Sequence, residues 1–168
     1  KTFFAENSEL FDLLKRASQR QSFQTDIDRS QGFGASTAHA ETSRRAIEML
    51  ADKASMLASN GEGDAAIEVC LTGYRILHLT EQEKFLVGFL IECVGLEELG
   101  KAVQQTLTTC EVSEPMLDTL DTQLQQFNLN TNLTNTIKVE RATGIQSFQE
   151  FHQASKSSDE NQIPIPAF

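Results

Sequence analysis

Residues 85–96, FLVGFLIECVGL, carry a single charge, Glu92, in an otherwise apolar run. A helix that is apolar on every side has to be buried on every side. At about 1.5 Å per residue the run spans roughly 18 Å, well short of the ~30 Å hydrocarbon layer, and charged TEQEK and EELGK flank it, so a core helix is expected rather than a membrane span. Thr80 with Glu83 reads as a capping box at its start. The apolar pattern continues through Leu99, Val103 and Leu107, which extends the expected helix over approximately 81–109. Gly88, Gly95 and Gly100 are expected to let neighbouring backbones come close.

The other periodic segments each offer this run one apolar face. Leu10, Phe11, Leu14 and Ala17 recur at three- and four-residue spacing after a Ser8 cap. Ile47, Leu50, Ala51, Ala54, Leu57 and Ala58 make a longer stripe that ends at Asn60 and Gly61. Asp64 then reads as the cap of a helix bearing Ala66, Ile67, Cys70, Leu71, Tyr74 and Leu77. Ser113 caps a shorter one, with Pro115 in its first turn and Leu117, Leu120, Leu124 and Phe127 as its stripe. After a break at 128–132, a last helix carries Leu133, Ile137, Gly144, Phe148 and Phe151, with Arg141 on the same inner line. The pattern predicts an all-α fold of about six helices in antiparallel hairpins, packed around the helix at 81–109, with one hairpin at 44–78. Residues 1–153 form one domain, including a loop at 21–36, and 154–168 read as a loose or docked tail.

Composition narrows the function classes. The 168 residues carry a formal charge of −10, which opposes nucleic-acid binding, because phosphate contacts rest on clustered Lys and Arg. An acidic surface leaves solubility or docking to a protein partner as its uses. Cys70, Cys93 and Cys110 have no CxxC spacing and His39, His78 and His152 no HxxxH or HExxH spacing, so neither a metal site nor a cofactor is implied. Cys110, near a helix end, is expected to be the most exposed of the three cysteines. The loop at 21–36 lacks both the GxxxxGK[ST] phosphate cradle and the ligand spacing of a calcium loop. An arginine on an inner line needs an acid beside it. Asp26, Asp28, Glu92 and Glu140 are the candidates for Arg141, and Glu92 is either the solvent edge of its helix or a buried, paired carboxylate. Asp28, Glu140 and Arg141 together make the one candidate polar site for an enzyme or small-ligand-binding protein.

Two resemblances add to this. SNGEGDAAIEVCLTGYRIL, residues 59–77, looks like the turn and second helix of a tetratricopeptide unit, although no 34-residue array follows. The order DIDRSQGF (26–33), the segment 61–99, SEPMLDTLDTQL (113–124) and VERATGIQSF (139–148) resembles uncharacterised all-helical proteins of planctomycete bacteria. This chain has Lys84, Gly88 and Glu92 where that family tends to have Pro, Ser and Arg. The resemblance implies an extracytoplasmic domain behind an N-terminal signal or membrane anchor, and a start at Lys1 rather than Met agrees with a removed leader. It implies no activity. A non-catalytic interaction or scaffold domain of the bacterial cell envelope, with an unidentified protein partner, is the function these features suggest.

Overall fold

The structure, a computed structural model, describes residues 3–23, 38–82 and 84–160. Among these every regular element is a helix: α1 (Phe3–Glu6), α2 (Ser8–Ser18), α3 (Ala38–Ser59), α4 (Gly63–Thr80), α5 (Leu86–Thr109), α6 (Glu114–Leu124) and α7 (Leu129–Glu160). The fold is all-α, as its periodicity predicts. Most of the expected loop at 21–36, including Asp26, Asp28 and Phe33, lies outside the described residues. α7 continues through 154–160, part of the expected tail.

Gly61 reverses the chain between α3 and α4 with φ at 82°, a backbone region that glycine enters without steric cost. The Gly61 and Glu62 amides donate to Ala58 O and Leu57 O, both at 3.0 Å, and so satisfy carbonyls that the end of α3 would leave bare. The hairpin buries Ile47, Leu50, Ala54 and Ala58 of α3 against Ala66, Ile67, Cys70, Leu71, Tyr74 and Leu77 of α4. Leu99, Ala102 and Val103 of α5 complete that core, with Phe11 from α2 and Leu120 from α6 at its edges.

The centre of the bundle is α4, and this corrects the expectation for residues 85–96. α4 packs on α2, α3, α5 and α6, and its buried residues run round the whole helix from Ala66 to Leu77. α5 reaches the core mainly through its second half. In its first half Leu86, Val87 and Val94 are each 44% exposed and Leu90 is 55% exposed, while Phe89 is half-buried. Hydropathy states how much burial a segment would gain. It does not supply the neighbours, and α4 has them on more sides.

Helix starts are also built differently from their local signals. Thr80 is the last residue of α4 rather than a cap for α5, and its hydroxyl donates to Leu77 O at 2.8 Å. α5 begins at Leu86 behind an extended Phe85, not at 81, and Glu83 lies outside the described residues. Its first amide, Leu86 N–H, donates to Glu140 Oε1 of α7 at 2.8 Å. Asp64 likewise serves a neighbour: its Oδ1 accepts from Ser113 N–H, at the start of α6, at 2.8 Å. That charge-assisted bond holds the Asp64 carboxyl below its ordinary range. Ser8 and Ser113 stand at helix starts but make no side-chain caps. Asn128 does: its Oδ1 accepts from Thr131 N–H at 3.0 Å and opens α7 inside the expected break.

Gly63, Gly73 and Gly95 mark close approach, Gly73 against the Leu99 methyls. A Cβ on Gly63 would sit 2.3 Å from Glu111 O and 3.0 Å from Cys110 Cβ, so the start of α4 fits the turn after α5 only without a side chain. A Cβ on Gly95 would meet Leu77 Cδ2 at 2.7 Å, so what comes close at that position is a neighbouring side chain rather than the expected backbone. Gly100 instead faces open space. Gly63→Ala is therefore expected to cost about 1–3 kcal/mol through forced backbone movement, whereas Gly100→Ala should gain about 0.5–1 kcal/mol of helix stability. Urea unfolding of the two variants checks the pair, and a harmless Gly63→Ala would show the contact to be slack.

Candidate functional site

Among the described residues, the one place where charge is taken deep into the bundle is Glu92 of α5, which is 1% exposed. It lies between the end of α4 and the first turns of α7. Asn132, itself 3% exposed, donates through Nδ2 to Glu92 Oε2. The other face of the same amide, Oδ1, accepts from Lys84 Nζ at 2.8 Å. Lys84 also lies 3.4 Å from Glu81 Oε1, and Glu81 Oε2 is 3.2 Å from Nδ1 of His78. The result is a polar chain from His78 through Glu81, Lys84 and Asn132 to Glu92, with buried Thr136 one turn beyond Asn132.

That chain stops short of satisfying its last member, because Glu92 Oε1 has no hydrogen-bond partner among the described residues. A buried carboxylate with one bare oxygen favours its neutral form. Burial first, and the nearby Glu81 charge second, push the Glu92 carboxyl up to about 7, against the opposing pull of the Asn132 donor and the Lys84 charge. The group therefore changes charge near neutral pH at a contact that ties α7 to α5. Among the described residues no group of three or more His, Cys, Asp or Glu side chains is arranged to hold a metal.

The residues expected to form a polar site are placed as follows. Asp28 lies outside the described residues. Glu140 is engaged as the cap of α5. Arg141 is exposed, not on an inner line. The reason is the rotation of α7. It turns Asn132 and Thr136 inward, with Val139, Thr143 and Ser147 half-buried along the same side, and this polar stripe meets Glu92. The opposite stripe points out: Ile137 is 54% exposed, Ile145 50%, Phe148 76% and Phe151 74%. The Glu92–Asn132 contact was half visible in the sequence, as a lone charge in an apolar run. Its partner stood in a stretch read as a break, although Asn132, Thr136, Thr143 and Ser147 share one helical face.

The cysteines offer no reactive centre. Cys70 is fully buried, and burial pushes its thiol up to about 12. Burial, then the Glu92 charge, raises the Cys93 thiol as well. Cys110 is half-buried rather than exposed, and its Sγ donates to Ala58 O at 3.1 Å. A groove between α2, α3 and α4 holds Lys15 and Lys53, but Lys15 is paired with Glu68 at 3.2 Å and Lys53 lies 4.1 Å from the centre of the Phe11 ring. Those amines are engaged within the chain. No described helix is long and apolar enough to cross a membrane.

No known protein family matches this chain, and no curated protein or solved structure matches it.

Proposed function

We propose that the chain is a non-catalytic helical interaction domain whose docking element is α7. The observation that carries this reading is the inverted polarity of that helix, with a polar stripe turned to the bundle and Ile137, Ile145, Phe148 and Phe151 turned to solvent. A row of large apolar side chains left in water is the mark of a surface that another molecule covers. An amphipathic helix of a protein is the occupant whose chemistry fits a narrow apolar stripe along one helix face. An anionic lipid surface fits less well, since the chain carries −10 and only Lys138 and Arg141 offer positive charge on 129–153.

The reading extends to a cell-envelope scaffold through the likeness of 26–33, 61–99, 113–124 and 139–148 to the planctomycete proteins. The tetratricopeptide-like character of the α3–α4 hairpin belongs to the same proposal. No specific observation among the described residues favours a catalytic or ligand site at Asp28, Glu140 and Arg141.

A photo-crosslinking residue at position 148, compared with the same residue at exposed Gln104 on α5, tests the docking face in cells. Protein adducts specific to 148 are expected. Equal adducts at both positions, or none at 148, would sink the proposal.

A further inference from the structure

We infer that the α7 face is covered by a second copy of this chain, the two α7 helices packing antiparallel; this rests on the docking role of α7 proposed above. Three properties of the stripe point to self-association. The first is register. Ile137, Arg141, Gly144, Phe148 and Phe151 follow one another at spacings of four, three, four and three, the repeat that keeps a seam facing one partner helix. With the dyad between residues 142 and 143, Ile137 of each copy meets Phe148 of the other, and Arg141 meets Gly144. A long side chain then lies over a residue without one, and its exposed guanidinium stays at the rim. One patch thus complements itself, as an isologous two-fold interface requires.

The second is charge. The chain as a whole carries −10, yet residues 129–153 hold Lys138 and Arg141 against Glu140 and Glu150, a formal balance of zero. Two copies of an acidic protein repel each other, and they approach most easily where each is neutral. The seam crosses that stretch.

The third is area. Taking ~200 Å² for a fully exposed large apolar residue, the exposures of Ile137, Ile145, Phe148 and Phe151 leave roughly 500 Å² of side chain in water on each copy. A standard interface buries ~800 Å² per partner, and about 65% of a homodimer interface is apolar. Ile137 and Phe148 pair across the dyad, Phe151 and Ile145 lie at the ends and edge of the seam, and burying all four would supply that share, with the flanking polar residues supplying the rest.

Sedimentation equilibrium of the intact chain at about 100 μM, well above a micromolar Kd, is expected to return twice the 18.7 kDa chain mass. Phe148→Asp combined with Phe151→Asp should return a monomer of unchanged helical circular dichroism, because both side chains are largely exposed within one copy. Oxidation of an Ile137→Cys, Phe148→Cys variant should give an intermolecular 137–148 disulfide on peptide mapping. A monomeric wild type, a double Asp variant that stays dimeric, or a 137–137 crosslink in place of 137–148 would each overturn the inference. If the wild type is monomeric while position 148 still crosslinks another protein in cells, the docking role of α7 stands and only the second copy is excluded. Loss of both results removes the two together.

Discussion

Glu92→Gln is expected to raise the unfolding midpoint at pH 8 by roughly 5 °C or more while leaving it nearly unchanged at pH 5. In the folded chain the Glu92 carboxyl is pushed up to about 7, against an ordinary value of 4.5. Between those two values the folded state holds a proton that the unfolded chain has released, so stability falls as pH rises. The favourable contribution is complete below pH 4.5 and is lost as pH passes through about 7. One pH unit of displacement corresponds to about 1.4 kcal/mol, which puts the full loss on the order of 3–4 kcal/mol. For a chain of this size each kcal/mol shifts the midpoint by about 2–4 °C.

Glutamine keeps an acceptor for Asn132 Nδ2 and cannot ionise, so it escapes the loss. Its amide nitrogen takes the place of the neutral acid's hydroxyl at the same unpartnered position, and any cost of its second N–H is the same at every pH and drops out of the pH dependence. His78 and Glu81 at the end of α4 and Lys84 in the linker face the site, and α7 contributes the uncharged Asn132 and Thr136. Taking the difference between wild type and variant across the pH range removes most of their own titration. Parallel stability curves for the two proteins would mean that Glu92 is ionised in the folded chain throughout. The same loss acts on the contact that fastens α7 to α5, so the hydrogen-exchange protection of the first turns of α7, corrected for the base-catalysed rise in intrinsic exchange, should fall between pH 6 and pH 8 in the wild type alone.

The second large effect separates the two helices that compete for the centre of the bundle. Leu77→Ala should cost about 2–5 kcal/mol, because Leu77 is fully buried and its methyls fill the notch left by Gly95. Alanine there leaves a cavity between α3, α4 and α5 that a closely packed three-helix contact cannot close. Leu90→Ala should stay within about 0.5 kcal/mol, since Leu90 is 55% exposed. Equilibrium urea unfolding measures both. The reverse order would return the core to the 85–96 run.

These two experiments fall where sequence and structure part. The run at 85–96 and the face of α4 have similar claims to burial, and a one-dimensional pattern cannot rank them, because the ranking depends on how many helices come to lie against each. α7 shows the same limit differently. Its sequence carries two stripes, Ile137 to Phe151 and Asn132 to Ser147, and hydrophobicity alone assigns the first to the core. The buried carboxylate of Glu92 attracts the second, since a polar group taken from water needs polar neighbours. Arg141 is carried outward with that rotation and takes no place in an inner polar site. Helix caps follow suit: Glu140 and Asp64 serve α5 and α6 across the bundle, a pairing that only packed helices create.

Periodicity by itself determined that this chain is all helical, where α2, α4, α6 and the later part of α3 run, and that Gly61 turns the hairpin, because each rests on contacts within a few residues. Tertiary structure alone decided which apolar helix is enclosed, which face of α7 meets the bundle, and that Glu92 is buried beside Asn132 rather than at a solvent edge. Those outcomes depend on residues some 40 or more positions apart competing for the same space, and the free energy of that competition is a property of the packed molecule.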